Sequence, residues 1–258
     1  MRLALHAEWT KLRTIAGSYW LLFAATALTV GLSAAVSAGV SCSSSACNQD
    51  AAKTSLTGVY LGQLMIAVLA VTAVGNEYST GMIRTTFAAM PRRWLVLVAK
   101  AVLVGGGALL TGLVGVLGSV LVGRFILPSK GFTAAHGYRA LSLFDGTTLR
   151  AAGGSVLYLT LIALLSVGVA ALVRDSAAGI GVVFALLFLF PLVANAVGDE
   201  HLHRHLEQIS PMDAGLAIQA TINVHGLVIS PWAGLGVLAL WAMGALLFGG
   251  LSLQLRDA

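Results

Sequence analysis

The sequence predicts an all-α, polytopic membrane protein, and three observations carry that prediction. Of its 258 residues, 58% are hydrophobic and only 10% are charged, where a soluble domain carries about a quarter charged residues. The mean hydropathy of +0.90 points the same way. Finally, the charges leave four long gaps, residues 54–76, 101–123, 151–173 and 176–198, each of 23 residues without Asp, Glu, Lys or Arg. As helix, each gap rises about 35 Å, enough to cross a ~30 Å hydrocarbon core with some tilt.

Two further apolar runs complete a set of six. The expected spans are residues 18–40, 55–75, 100–123, 151–173, 177–198 and 231–253, in one transmembrane domain covering 1–258. In lipid only helices or closed barrels satisfy the backbone, and these runs lack the alternation of barrel strands. The first run follows a long polar lead-in and exceeds a signal-peptide apolar core, so it reads as a span. With the N-terminus inside, nine Lys and Arg residues fall on the inner side and six on the outer, the excess the positive-inside rule asks for. Both termini are then cytoplasmic. Cations against anionic lipid account for the net charge of +5 without a nucleic-acid partner.

Residues 1–17 read as an interfacial helix, because Leu5, Trp9, Leu12 and Ala16 recur at helical spacing while His6, Lys11 and Arg13 lie elsewhere around it. The first outer loop holds the only two cysteines, Cys42 and Cys47, which are either a disulfide closing that loop or two idle thiols. In the third span Gly115, Ser119 and Gly123 make a ridge of small residues, with Ala108 and Gly112 a second pair. Such ridges serve a subunit interface or packing within the chain. Arg174 and Asp175 leave only a tight hairpin between spans four and five. Pro191 kinks or breaks the fifth span, and Asn195 either marks a pathway or bonds across helices.

Residues 199–230 are an outer, non-spanning segment. His201 and His205 share a helical face, with His203 and Arg204 between them, but the glutamate of an HExxH hydrolase is missing. Leu202, Leu206 and Ile209 at helical spacing predict a surface amphipathic helix on the outer face, and no metal site is expected.

The segment between spans two and three, residues 76–93, is the most specific string in the chain. Glu77 ends the second span, and Ser79, Thr80 and Gly81 provide a turn. "MIRTTFAAM" predicts a short helix with Ile83, Phe87 and Met90 on one apolar face. Pro91 stops it, Arg92 and Arg93 anchor at the lipid surface, and Trp94 begins the next span. A basic inner loop explains the arginines. The short apolar-faced helix between a glycine turn and a proline suits docking in a groove of a cytosolic partner.

Three strings, "EWTKLR" (residues 8–13), "NEYSTGMIRTTFAAMPRR" (76–93) and "LVRDSAAGI" (172–180), set among six spans, resemble the ABC-2-type permease subunits of ATP-binding-cassette exporters. The resemblance implies an elbow helix over residues 3–16, a coupling helix over residues 80–90 that contacts the ATPase, and short outer helices in 199–230. It implies coupling roles for Glu77, Thr80, Gly81, Ile83, Arg84, Phe87, Pro91 and Arg93, with Glu77 and Arg84 as polar anchors to each other or to the partner. No GxxxxGK[ST] string occurs, so the chain has no P-loop. Catalytic residues, ATP and Mg then belong to a separate ATPase, and this chain holds no cofactor. The implied assembly is two permease chains, identical or related, with two ATPase chains, in a cytoplasmic membrane of bacterial type.

Within the spans the polar residues are few: Gln63, Thr72, Thr111, Ser166 and Asn195. So apolar a pathway suits hydrophobic or amphiphilic cargo such as a lipid, drug or antibiotic-like compound. The competing expectations are a secondary carrier or channel working without ATP, an intramembrane hydrolase, and a subunit that senses or confers immunity without transporting.

Overall fold

The computed structural model describes residues 2–14, 16–42, 49–89, 93–133, 138, 141–143, 145–196 and 198–255. Its helices are α1 (Arg2–Thr14), α2 (Ala16–Gly39), α3 (Ala51–Ser55), α4 (Val59–Ser79), α5 (Met82–Ala89), α6 (Arg93–Ile126), α7 (Gly146–Val173), α8 (Ser176–Ala196), α9 (Glu200–Ile209), α10 (Pro211–Leu216) and α11 (Pro231–Leu255). Six of them, α2, α4, α6, α7, α8 and α11, are long and apolar enough to cross a membrane. No strand occurs among the described residues.

Two span boundaries differ from the expected ones in a way that matters. The second span runs on to Ser79, so Glu77 lies within it. The third begins at Arg93, so Lys100 stands seven residues inside it instead of at its head. Charge-free gaps located the apolar stretches, but a charge that finds partners inside the bundle does not end a helix.

Helix α7 is the central pillar. Tyr158, Leu159, Ile162 and Leu165 on it are fully enclosed, and it packs against α4, α6, α8 and α11. Against α11 the backbones nearly touch. A Cβ on Gly168 would lie 2.4 Å from the Ala245 carbonyl carbon, and one on Gly249 would lie 2.7 Å from the Gly168 oxygen. In lipid, packing of this kind supplies much of what hydrophobic burial supplies in water.

The small-residue ridge of α6 faces inward. Gly115 rests on Thr29 of α2, Gly123 meets Ser55 of α3, and the Ser119 hydroxyl donates to the Thr29 carbonyl at 3.4 Å. Gly112 meets Leu159 of α7. The ridge is buried and packs within the chain. Outward faces of α2 and α8 expose Trp20, Phe23, Leu189 and Leu192, as lipid-facing surfaces do.

At the end remote from α5, the segment 199–230 divides in two. Helix α9 has no buried residue, and Leu202 and Ile209 are exposed. The following stretch departs from the expectation of a wholly surface segment. Met212, Leu216 and Ile218 are buried, seated on Gly154 of α7, where a Cβ would fall 2.0 Å from Ile218. Polar side chains fasten it: the Tyr158 hydroxyl donates to Gln63 Oε1, Gln63 Nε2 to Met212 Sδ at 3.3 Å, and Gln219 Nε2 to Ser155 Oγ at 3.1 Å. Asp50 caps α3 and also accepts from the Thr221 hydroxyl at 2.7 Å.

Other expectations resolve locally. Asn195 donates to Pro191 O of its own helix at 2.8 Å, and among the described residues no bond carries it to another helix. The His201 and His205 rings meet edge to face at 4.5 Å, and among the described residues no three metal-capable side chains cluster. Cys42 is buried and is not a free thiol; Cys47 lies outside the described residues.

Candidate functional site

The end of α4 is shaped by three small or polar residues. The Thr80 hydroxyl donates back to Asn76 O at 2.6 Å, the Gly81 amide donates to Tyr78 O at 3.2 Å, and Gly81 takes φ +72°. That left-handed conformation is open to glycine at little cost. It reverses the chain, so α5 starts at once at Met82. One face of α5 returns toward the bundle: Ile83 and Thr86 are buried, while Gly81, Met82 and Thr85 are exposed.

Beneath α5 four charged side chains close a ring. Lys100 of α6 donates to Glu8 Oε2 of α1 at 2.7 Å and to Glu77 Oε1 of α4 at 2.7 Å. Lys11 of α1 donates to Glu8 Oε1 at 2.8 Å and to the same Glu77 oxygen at 2.7 Å. Each ammonium has a third acceptor, Ala73 O at 3.2 Å for Lys100 and Thr86 Oγ1 of α5 at 3.4 Å for Lys11. All three protons of each lysine thus have partners. Side-chain exposure is 4% for Lys100 and Glu8, 5% for Glu77 and 29% for Lys11.

The ring is neutral, two cations against two anions, which is what makes its burial tolerable. Removing one member of a buried pair leaves an uncompensated charge and costs about 3–5 kcal/mol. Burial pushes the Lys11 ammonium down, but its hydrogen bonds to Glu77 and Glu8 and their negative charges outweigh that and hold it above the ordinary lysine value. One acceptor stays open: Glu77 Oε2 is buried and accepts from no described group. A cavity of about 200 Å³ adjoins the ring, walled also by Ser18, Asn76, Met82 and Leu103.

Two arginines organise the same end. Arg93 donates to Leu253 O at 3.1 Å and Arg174 to Ser252 O at 2.7 Å, so both satisfy carbonyls in the last turn of α11. Arg174 also stacks over the Tyr78 ring at 5.7 Å.

Compared with known protein families, curated proteins and solved structures, the chain finds no match in any of the three.

The expected site residues separate accordingly. Glu77 belongs to the ring, paired with Lys11 and Lys100. Thr80 and Gly81 form the turn. Ile83 is held against its own chain, so it anchors α5 from inside. Arg93 braces α11. The side chains of Arg84 and Phe87, and Pro91 altogether, lie outside the described residues. Among the described residues of α1, Glu8 is buried and Leu5 half-buried, while Trp9 is exposed.

Sequence reading missed Glu8, Lys11 and Lys100 as members of one site. A usable signal existed for Lys100, which stands within "WLVLVAKAVLV", six apolar residues before it and four after. A lysine so placed needs a carboxylate from another helix.

Proposed function

We propose that the chain is the membrane permease subunit of an ATP-driven exporter of the ABC-2 type, working with a separate ATPase. The observation that carries this reading is the Glu8–Lys11–Glu77–Lys100 ring and its hydrogen bond to Thr86. It binds an interfacial helix, two spans and the short helix α5 into one unit at one end of the bundle. A push on α5 therefore reaches α1, α4 and α6 together. The exposed side of α5, with Gly81, Met82 and Thr85, is the surface offered to the partner, and that end is cytoplasmic. Two such chains rocking against each other would open a path for hydrophobic or amphiphilic cargo.

The test is ATP hydrolysis by a co-reconstituted ATPase. Arg84→Glu should leave insertion intact and abolish the stimulation that the permease gives. Unchanged stimulation in that variant removes α5 from the coupling role.

A second reading has one observation in its favour. Glu77 and Lys100 are charges buried within spans, a common mark of ion-coupled carriers. Uptake driven by a proton gradient into liposomes holding this chain alone would support it.

A further inference from the structure

A lengthwise groove of about 690 Å³ opens sideways from the bundle. Helices α6 and α11 form its walls and α7 its floor, with Trp94, Gly106, Leu109, Leu164 and Gly250 among the lining residues and Gln254 at one end. Along α6 it runs from Trp94 to Leu109, about 22 Å at helical rise. That exceeds one leaflet's half of a ~30 Å hydrocarbon core.

We infer that this groove is a retained-lipid site, holding an acyl chain of an anionic phospholipid with its headgroup at the α5 end. Three observations argue for this occupant. First, the lining is almost wholly apolar and lies on spanning helices, so an acyl chain suits it and a polar ligand does not. Second, Gly106 is glycine without any packing reason. A Cβ there would meet nothing within 4 Å, and glycine inside a helix is less stable than alanine. What a side chain at Gly106 would do is fill the groove. Third, the charge at the mouth is positive: Arg93 stands beside Trp94, and no carboxylate lines the groove. Cations and an interfacial tryptophan at one level are where an anionic headgroup sits. The inference does not depend on the exporter reading, since the site is complete in one chain.

Native mass spectrometry of the purified full chain with added phosphatidylglycerol or phosphatidylcholine tests it. The wild type should retain phosphatidylglycerol in preference by about five-fold, the share of one surface cation. Gly106→Phe should lose retention of both lipids, and the smaller Gly106→Leu should lose part. Arg93→Gln should keep retention and lose the preference. Gly181→Phe, an equal change at another exposed and unpacked helix position, should behave as wild type. The proposal is overturned if Gly106→Phe retains lipid as wild type does. It is equally overturned if Gly181→Phe loses as much, or if Gly106→Phe alters only self-association mass, the sign of a groove that holds a second copy's helix.

Discussion

At the scale of single residues, Lys100 decides most. Its ammonium joins α1, α4 and α6, through Glu8, Glu77 and Ala73 O. Lys100→Met leaves two buried carboxylates sharing Lys11, one negative charge in surplus, and should cost about 3–5 kcal/mol, read as a lowered melting temperature in detergent. Adding Glu77→Gln to it should recover part of that loss, because the surplus charge is removed; strict additivity of the two changes would deny the coupling. Lys11 sets the pH limit. Its folded-state value is raised above the ordinary 10.5, so its contribution is complete below that value and fades only as pH climbs through the higher one. On the alkaline side the melting temperature should therefore hold through neutral pH and fall only under strong alkali. At the far end Asp213 behaves oppositely. Burial, with Glu207 adding, raises its carboxyl against the opposing Ser210 and His203. Folding thus favours its protonated form, and that advantage is lost as pH rises through the folded value. Asp213→Asn should stabilise the protein at pH 7 and do little at acid pH; equal effects at both would refute this. Glu77 was legible in the sequence as a polar residue ending a greasy run. Its partners were not, because Lys11 and Lys100, 66 and 23 residues away on other helices, leave no local pattern.

Among elements, α5 and the 211–219 stretch were legible to different degrees. The glycine turn and the helix after it followed from local chemistry at Thr80 and Gly81, which any reading of turn residues recovers. The inward turn of Ile83 and Thr86 did not, since an apolar residue on a short helix can face its own bundle or a partner. Helix α9 was legible from the spacing of Leu202, Leu206 and Ile209. The buried stretch that follows was not: "PMDAGLAIQA" is too short to show a period, and its burial depends on the absent side chain at Gly154 of α7. Gly154→Val should unseat it at about 1–3 kcal/mol of overpacking, with protease sensitivity appearing between α9 and α11. A variant as resistant as wild type would mean that the seat tolerates a side chain.

For the whole molecule, composition and charge spacing were enough to name six spans, because the bilayer imposes a length and forbids unpaired charge on its lipid side. They said little about which helix stands in the middle. That place belongs to α7, whose glycines let α11 come to backbone contact. The bundle has a rigid, ionically fastened end under α5 and a second fastened end around Gln63, Tyr158 and Met212. A half-transporter driven from α5 needs the first of these to move as one body. The most direct measurement is ATP hydrolysis by the complex purified on the tagged full chain from its own host's membranes. The account predicts a bound ATPase whose hydrolysis is present with the wild type and lost with Arg84→Glu at equal chain yield. Cargo flux at the full rate through liposomes containing the chain alone, with no nucleotide, would contradict it.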